Sequence, residues 1–211
     1  MPVNFQNIIN YSNTLGYTVP GHNGVPVVNF AANTMLPNCY FGEYDATNQQ
    51  FNAVKQSPIN RNEQTNPVIV ILAESPHKDE YTYSGGVVTP IVPLFKSKSK
   101  IKNFLKNYLP AKTRGIYDVY LVNAIQYQCS FGLTLKKHRK QKNNVFALTW
   151  NMEPALNDLI CELKNLIRSE QDIILNCCTK ELRKFLCMTE ILKLYFSQSN
   201  ISEAPHPSTW K

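Results

Sequence analysis

Long hydrophobic runs are missing from this 211-residue chain; the longest, Val68 to Ala73, has six residues. A helix that crosses a bilayer needs roughly 20, so no membrane-spanning segment is expected. The first residues, Met1-Pro2-Val3-Asn4, carry neither a positive segment nor an apolar stretch, so no secretory signal is expected and the location reads as cytoplasmic. C-x-x-C pairs are missing too. The six cysteines stand at 39, 129, 161, 177, 178 and 187, and the adjacent pair Cys177-Cys178 is a poor basis for two separate bridges. Reduced thiols, several of them in the core, are the expectation, with no zinc, no iron–sulfur cluster and no other cofactor.

Acidic residues are scarce in one region above all. From Lys96 to Lys142 there are twelve Lys or Arg and a single acid, Asp118, so this block carries +11 of a chain whose formal net charge is +7. A concentrated basic block suits a polyphosphate partner, because each neutralised phosphate releases condensed counterions. A solvated surface that keeps the protein soluble is the plainer reading of such a run.

What is present is a buried core and an alternation of elements. Apolar residues make up 43% of the chain and aromatics 11%, enough to bury a core and to exclude global disorder. Residues 1–66 hold 13 of the 23 asparagines and read as a lead-in of short strands or turns packed on a main domain over 67–211. In that lead-in, Val25-Pro26-Val27-Val28 is too short and too proline-broken to read as a strand. Val68 to Ala73 is β-branched at four of six positions and bounded by Pro67 and Glu74, the pattern of a strand buried on both faces. Ile101, Phe104, Leu105 and Tyr108 recur at helical spacing before Pro110. Tyr117 to Ile125 reads as a second strand, and a helix follows through Leu156, Leu159, Ile160, Leu163, Leu166 and Ile167, with Pro154 in its first turn. Asp172 to Cys177 reads as a third strand, Thr179 as the cap of a helix carrying Leu182, Phe185 and Leu186, and Asn200 to Glu203 as a fourth strand. The expected fold is a three-layer α/β/α domain around a mainly parallel, four-stranded sheet, with no internal repeat.

In such sheets ligands gather beyond the carboxyl ends of the strands. Three of those ends carry polar residues: Glu74-Ser75-Pro76-His77, Asn123, and Pro205-His206-Pro207-Ser208. Each has a plain structural reading: Glu74 as an acceptor of backbone N–H groups, Asn123 as a partner of loop backbone, His206 as a turn residue. Together they define a candidate pocket with a carboxylate, an amide and an imidazole.

The combination resembles the uracil-DNA glycosylase superfamily. Ala73-Glu74-Ser75-Pro76-His77 is similar to the Gly-Glu-Ala-Pro-Gly motif of its iron–sulfur branch, and more distantly to Gly-Gln-Asp-Pro-Tyr-His of the best-known branch. Leu121-Val122-Asn123-Ala124 resembles the middle motif, and His206-Pro207-Ser208 the closing His-Pro-Ser motif. The resemblance covers about residues 66–209 and implies a monomer that acts on single- or double-stranded DNA, hydrolysing the N-glycosidic bond of uracil or another damaged or modified base. It implies Glu74 and His206 as catalytic residues. Asn123 would read the base edge, with His77, Tyr81 and Tyr83 beside the base, although a surface role suits the tyrosines equally. Ser75, Ser208, Lys136, Lys137, Arg139 and Lys140 would meet phosphate.

Some positions depart from the pattern. Ser75 stands where the best-known branch has its water-activating aspartate, and His77 where it has the tyrosine that excludes thymine. The cysteine pattern of the iron–sulfur branch is lacking. Trp210 stands where an apolar wedge would enter the base stack. A non-catalytic nucleic-acid-binding protein of the same fold, and an N-glycosidase acting on free nucleosides or nucleotides, use the same residues and remain alternative expectations.

Overall fold

The computed structural model describes residues 36–58, 66–76, 80–84, 87–90, 98–126, 129, 140, 143–144, 146–147, 149–151, 153–196 and 200–209. The stretch Val25–Val28, together with His77, Lys136, Lys137, Arg139 and Trp210, lies outside the described residues, as do the side chains of Tyr83 and Ser208. Two compact units interleave along the chain: Met1–Pro37, Ser75–Leu94 and Ala124–Leu159 form one, and Asn38–Glu74, Phe95–Asn123 and Ile160–Lys211 the other.

The second unit is an α/β fold built on a six-stranded mixed sheet. Its strands are β1 (Cys39–Asp45), β2 (Gln50–Pro58), β3 (Val68–Ala73), β6 (Ile116–Asn123), β7 (Ile173–Asn176) and β8 (Asn200–Glu203), in the order β2-β1-β6-β3-β7-β8. In the first unit β4 (Tyr81–Ser84) and β5 (Val87–Pro90) pair as a separate antiparallel ribbon. The helices are α1 (Lys98–Tyr108), α2 (Glu153–Leu166), α3 (Lys180–Phe185) and α4 (Met188–Tyr195), and a 3₁₀ turn covers Pro207–Thr209. Among the described residues no helix is long and apolar enough to cross a membrane.

The four expected strands are parallel neighbours in the order β6-β3-β7-β8. The sheet nevertheless has six strands and is mixed, not four-stranded. The hairpin β1–β2 comes from the asparagine-rich lead-in and adds antiparallel to the outer edge of β6. Asp45 closes its turn: Oδ1 accepts the N–H groups of Thr47 and Asn48, and Oδ2 accepts the Asn48 side-chain amide. Gly42 sits at the β-bulge with φ +132, where a Cβ would collide with the Asn52 carbonyl, so only glycine fits.

Strand periodicity sorts the core into two faces. Ile69, Ile71, Val119, Leu121, Ile173 and Leu175 pack with Ile101, Phe104 and Leu105 of α1. On the opposite face Asn176 donates from its side-chain amide to Thr189 Oγ1 of α4. The Leu182–Phe185–Leu186 stripe is only partly internal: Leu182 and Leu186 are buried, whereas Phe185 is 72% exposed. The helix ends there, because Cys187 turns into the left-handed region (φ 49) and starts α4 on a new axis.

Asp172 stitches the far end of the sheet. It is buried, and its carboxylate accepts the N–H groups of Val68, Arg168 and Ser169, each at 2.7 Å.

None of the six cysteines forms a disulfide; Cys39, Cys129, Cys177 and Cys178 are buried, Cys161 and Cys187 exposed. Burial pushes the Cys129 thiol up to about 12, only partly offset by hydrogen bonds with Ser75 and Thr149. Burial also raises Cys177, against the pull of Arg183. Only a thiolate alkylates readily. At pH 8, iodoacetamide is therefore expected to label Cys161 and Cys187 in the native protein and the other four only after denaturation, as read by peptide mass spectrometry. The same shift makes stability pH-dependent. The folded value lies above the unfolded one of about 8.5, so the contribution is full below about pH 8.5 and is lost as pH rises through the folded value.

Candidate functional site

The parallel strands end together at one rim of the sheet. In register, Ala73 lies beside Asn123, Leu72 beside Asn176, and Asn176 beside Glu203. The residues just beyond these ends are Glu74 after β3, Cys177-Cys178-Thr179 after β7, and Ala204-Pro205-His206 after β8. The chain leaves β3 toward β6 on one side and leaves β7 toward β8 on the other. Adjacent strands whose connections depart in opposite directions open a crevice at their carboxyl ends, the usual ligand position in α/β sheets. Here that switch point lies between β3 and β7.

Glu74 occupies it. Its side chain is 1% exposed, Oε1 accepts the Thr179 N–H at 2.6 Å, and Oε2 stands 3.9 Å from His206 Nε2. The plain reading of Glu74, an acceptor of backbone N–H, is therefore correct as far as it goes. The second oxygen faces the imidazole beyond direct hydrogen-bond distance, and His206 is itself 24% exposed and open to solvent. A carboxylate removed from water is costly unless it is hydrogen-bonded or paired, and here the Thr179 N–H and the His206 imidazole face its two oxygens. Thr179 is the N-cap residue of α3, yet its side chain makes no cap hydrogen bond; its backbone N–H serves Glu74 instead.

Asn123 closes β6 and is 4% exposed. Its backbone N–H donates to Asn38 Oδ1 at 3.0 Å, so Asn38 takes up the backbone role that loop geometry would have given Asn123. The Nδ2 atoms of both Asn123 and Asn38 are buried without a hydrogen-bond partner. A buried donor left without an acceptor costs about 1–3 kcal/mol, so both Nδ2 groups are ready to donate to an acceptor, an ordered water or a ligand atom alike.

Arg183 holds the rim in shape. Its Nη1 donates to the Asn176 and Ala204 carbonyls at 2.8 and 2.6 Å, and Nη2 lies 3.3 Å from Glu203 Oε2. Glu203 Oε1 in turn accepts from Thr189. The clamp fixes the carboxyl ends of β7 and β8, three residues before Thr179 and two before His206. Asn38 and Arg183 are not evident as site residues in the sequence. Asn38 is one asparagine among many, and Arg183 acts through carbonyls supplied by two separate strands.

Glu74, Asn123 and His206 thus belong to one unit and one rim. Ser75 and Tyr81 belong to the other unit: Ser75 hydrogen-bonds the Cys129 sulfur, and Tyr81 is buried. Lys140 is exposed. The arrangement offers chemistry one buried carboxylate, one solvent-facing imidazole and two unsatisfied amide donors. No protein-family model, curated protein or solved structure matches the chain.

Proposed function

We propose that the protein is a DNA glycosylase that hydrolyses the N-glycosidic bond of uracil, or of another damaged or modified base, flipped out of DNA. The observation that carries this reading is the buried Glu74 carboxylate at the switch between β3 and β7, with His206 3.9 Å away on the same rim. A base inside a duplex is out of reach, so the nucleotide must rotate into a pocket that recognises its edge. Asn123 suits a uracil edge, since an amide donates to O4 and accepts from N3–H. The donor that this pairing needs is the Nδ2 that lacks a partner.

As the C1′–N bond breaks, its electron pair leaves with the base and the sugar becomes cationic. The Glu74 carboxylate stabilises that cation and orients a water, whose oxygen bonds to C1′. The proton released from the water neutralises the base anion, which His206 stabilises at its oxygen until transfer is complete. The products are an abasic site and the free base, with no redox change. In the sequence a serine, Ser75, stands at the aspartate position of the best-known branch, so water activation falls to Glu74.

The test is a panel of oligonucleotides, each with one uracil or another altered base, single-stranded and in duplex, scored for abasic sites by alkaline cleavage. Release is expected from at least one of them, and His206→Ala is expected to slow it by about 100- to 1,000-fold, the usual loss for one preorganised donor. If the wild-type protein releases no base from any substrate, the glycosylase reading is wrong.

A further inference from the structure

A second feature lies beside the proposed catalytic rim. α1 contains four lysines and no acid in eleven residues. Its apolar stripe, Ile101, Phe104 and Leu105, is buried in the core. Lys100, Asn103, Asn107 and Tyr108 recur at i, i+3, i+7 and i+8, and so follow one face of the helix. That stripe forms one wall of a groove of about 300 Å³, with Thr209 in the facing segment and no acidic residue in the lining. Such a volume is at the lower end of the roughly 300–1,000 Å³ of small-ligand sites.

Three properties limit what this groove suits. The Tyr108 ring is 41% exposed while braced at 5.1 Å by Phe104, which makes it a supported aromatic platform at the surface. Asn103 and Asn107 are exposed, and their amides both donate and accept. Lys100 supplies the positive charge. Thr209 is tied directly to the catalytic rim, because its N–H and its Oγ1 both donate to the His206 carbonyl, at 2.9 and 2.8 Å. Whatever fills the groove therefore lies against the turn that carries His206.

We propose that this groove seats a nucleotide of single-stranded DNA flanking the one in the catalytic crevice. Its base stacks on Tyr108, the Asn103 and Asn107 amides meet its edge, and Lys100 meets a phosphate. The inference rests on the glycosylase reading and sharpens it, since a platform of this kind takes an unpaired base and thus favours single strands over duplex.

Fluorescence anisotropy with a labelled uracil-containing single strand, and with its duplex, tests the proposal in the full chain. Tyr108→Ala is expected to weaken single-strand binding about 10-fold, the loss of one stacked base. Lys100→Ala is expected to weaken it and to reduce the slope of log affinity against log salt by about 0.7, one phosphate contact on a single strand. The duplex is expected to bind more weakly than the single strand in the wild type. Both side chains reach solvent, and thermal melts of each variant separate lost binding from lost fold. Single-strand affinity and salt slope at wild-type values in both variants would overturn the groove proposal, whatever the lesion panel shows. Duplex binding as tight as single-strand binding would overturn the strand preference. Weakened binding in both variants, with no base release by the wild type, would uphold the groove and sink the glycosylase reading alone.

Discussion

Glu74→Gln is expected to slow base release from a uracil-containing single strand by about 100- to 1,000-fold, with the melting temperature close to that of the wild type. The substitution keeps the shape of the side chain and an oxygen that can accept the Thr179 N–H, a bond of 2.6 Å in the native protein. What it removes is the negative charge, at a position only 1% exposed to water. In such a site a charge acts on the developing sugar cation with little screening, and the loss of one preorganised electrostatic group typically costs about 2.7–4 kcal/mol of barrier. Single-turnover release measured under enzyme excess reads the chemical step directly. An unchanged rate would remove Glu74 from the mechanism and leave it the purely structural role of accepting a backbone N–H.

The largest loss of stability is expected at the opposite end of the sheet. Asp172→Ala deprives the N–H groups of Val68, Arg168 and Ser169 of their shared acceptor. The bond to Val68 is buried and anchors the first residue of β3, the central strand of the parallel set. Each buried donor left unsatisfied costs about 1–3 kcal/mol, so a total of about 3–5 kcal/mol is expected once partial hydration of the two less buried donors is allowed for. With a urea dependence of about 2 kcal/mol per molar, the unfolding midpoint falls by about 2 M. Asp172→Asn keeps one acceptor oxygen and is expected to recover about half of the loss. A midpoint shift below about 0.5 M for the alanine variant would show that these donors find other acceptors.

Some of the site is legible in the sequence, and the reason is local. A polar residue directly after a continuous apolar run stands out, and that contrast marks Glu74 after Val68–Ala73 and Asn123 within Tyr117–Ile125. His206 is marked by its two flanking prolines. The helix α1 is equally plain, because Ile101, Phe104, Leu105 and Tyr108 keep the helical period up to Pro110. The hairpin β1–β2 is obscured by polar and bulged sequence: Cys39–Asp45 is interrupted by Gly42, whose φ of +132 no pattern of apolar residues signals. Phe185 misleads for a related reason. Its spacing continues the helical stripe, but α3 stops at that residue and leaves the ring in solvent.

By itself the sequence determined the parallel strands, the helices α1 and α2 and the chemistry available at the strand ends, because strand and helix periods and the contrast between apolar and polar residues operate over a few neighbours. Only the tertiary structure decided which ends meet. The order β6-β3-β7-β8 places Glu74 opposite the Thr179 N–H, 105 residues away in the chain, and beside His206. It also leaves the Nδ2 atoms of Asn38 and Asn123 buried without a hydrogen-bond partner. Such contacts arise from hydrogen-bonded pairing of distant strands and from exclusion of water at their common rim, and no local window of sequence contains either.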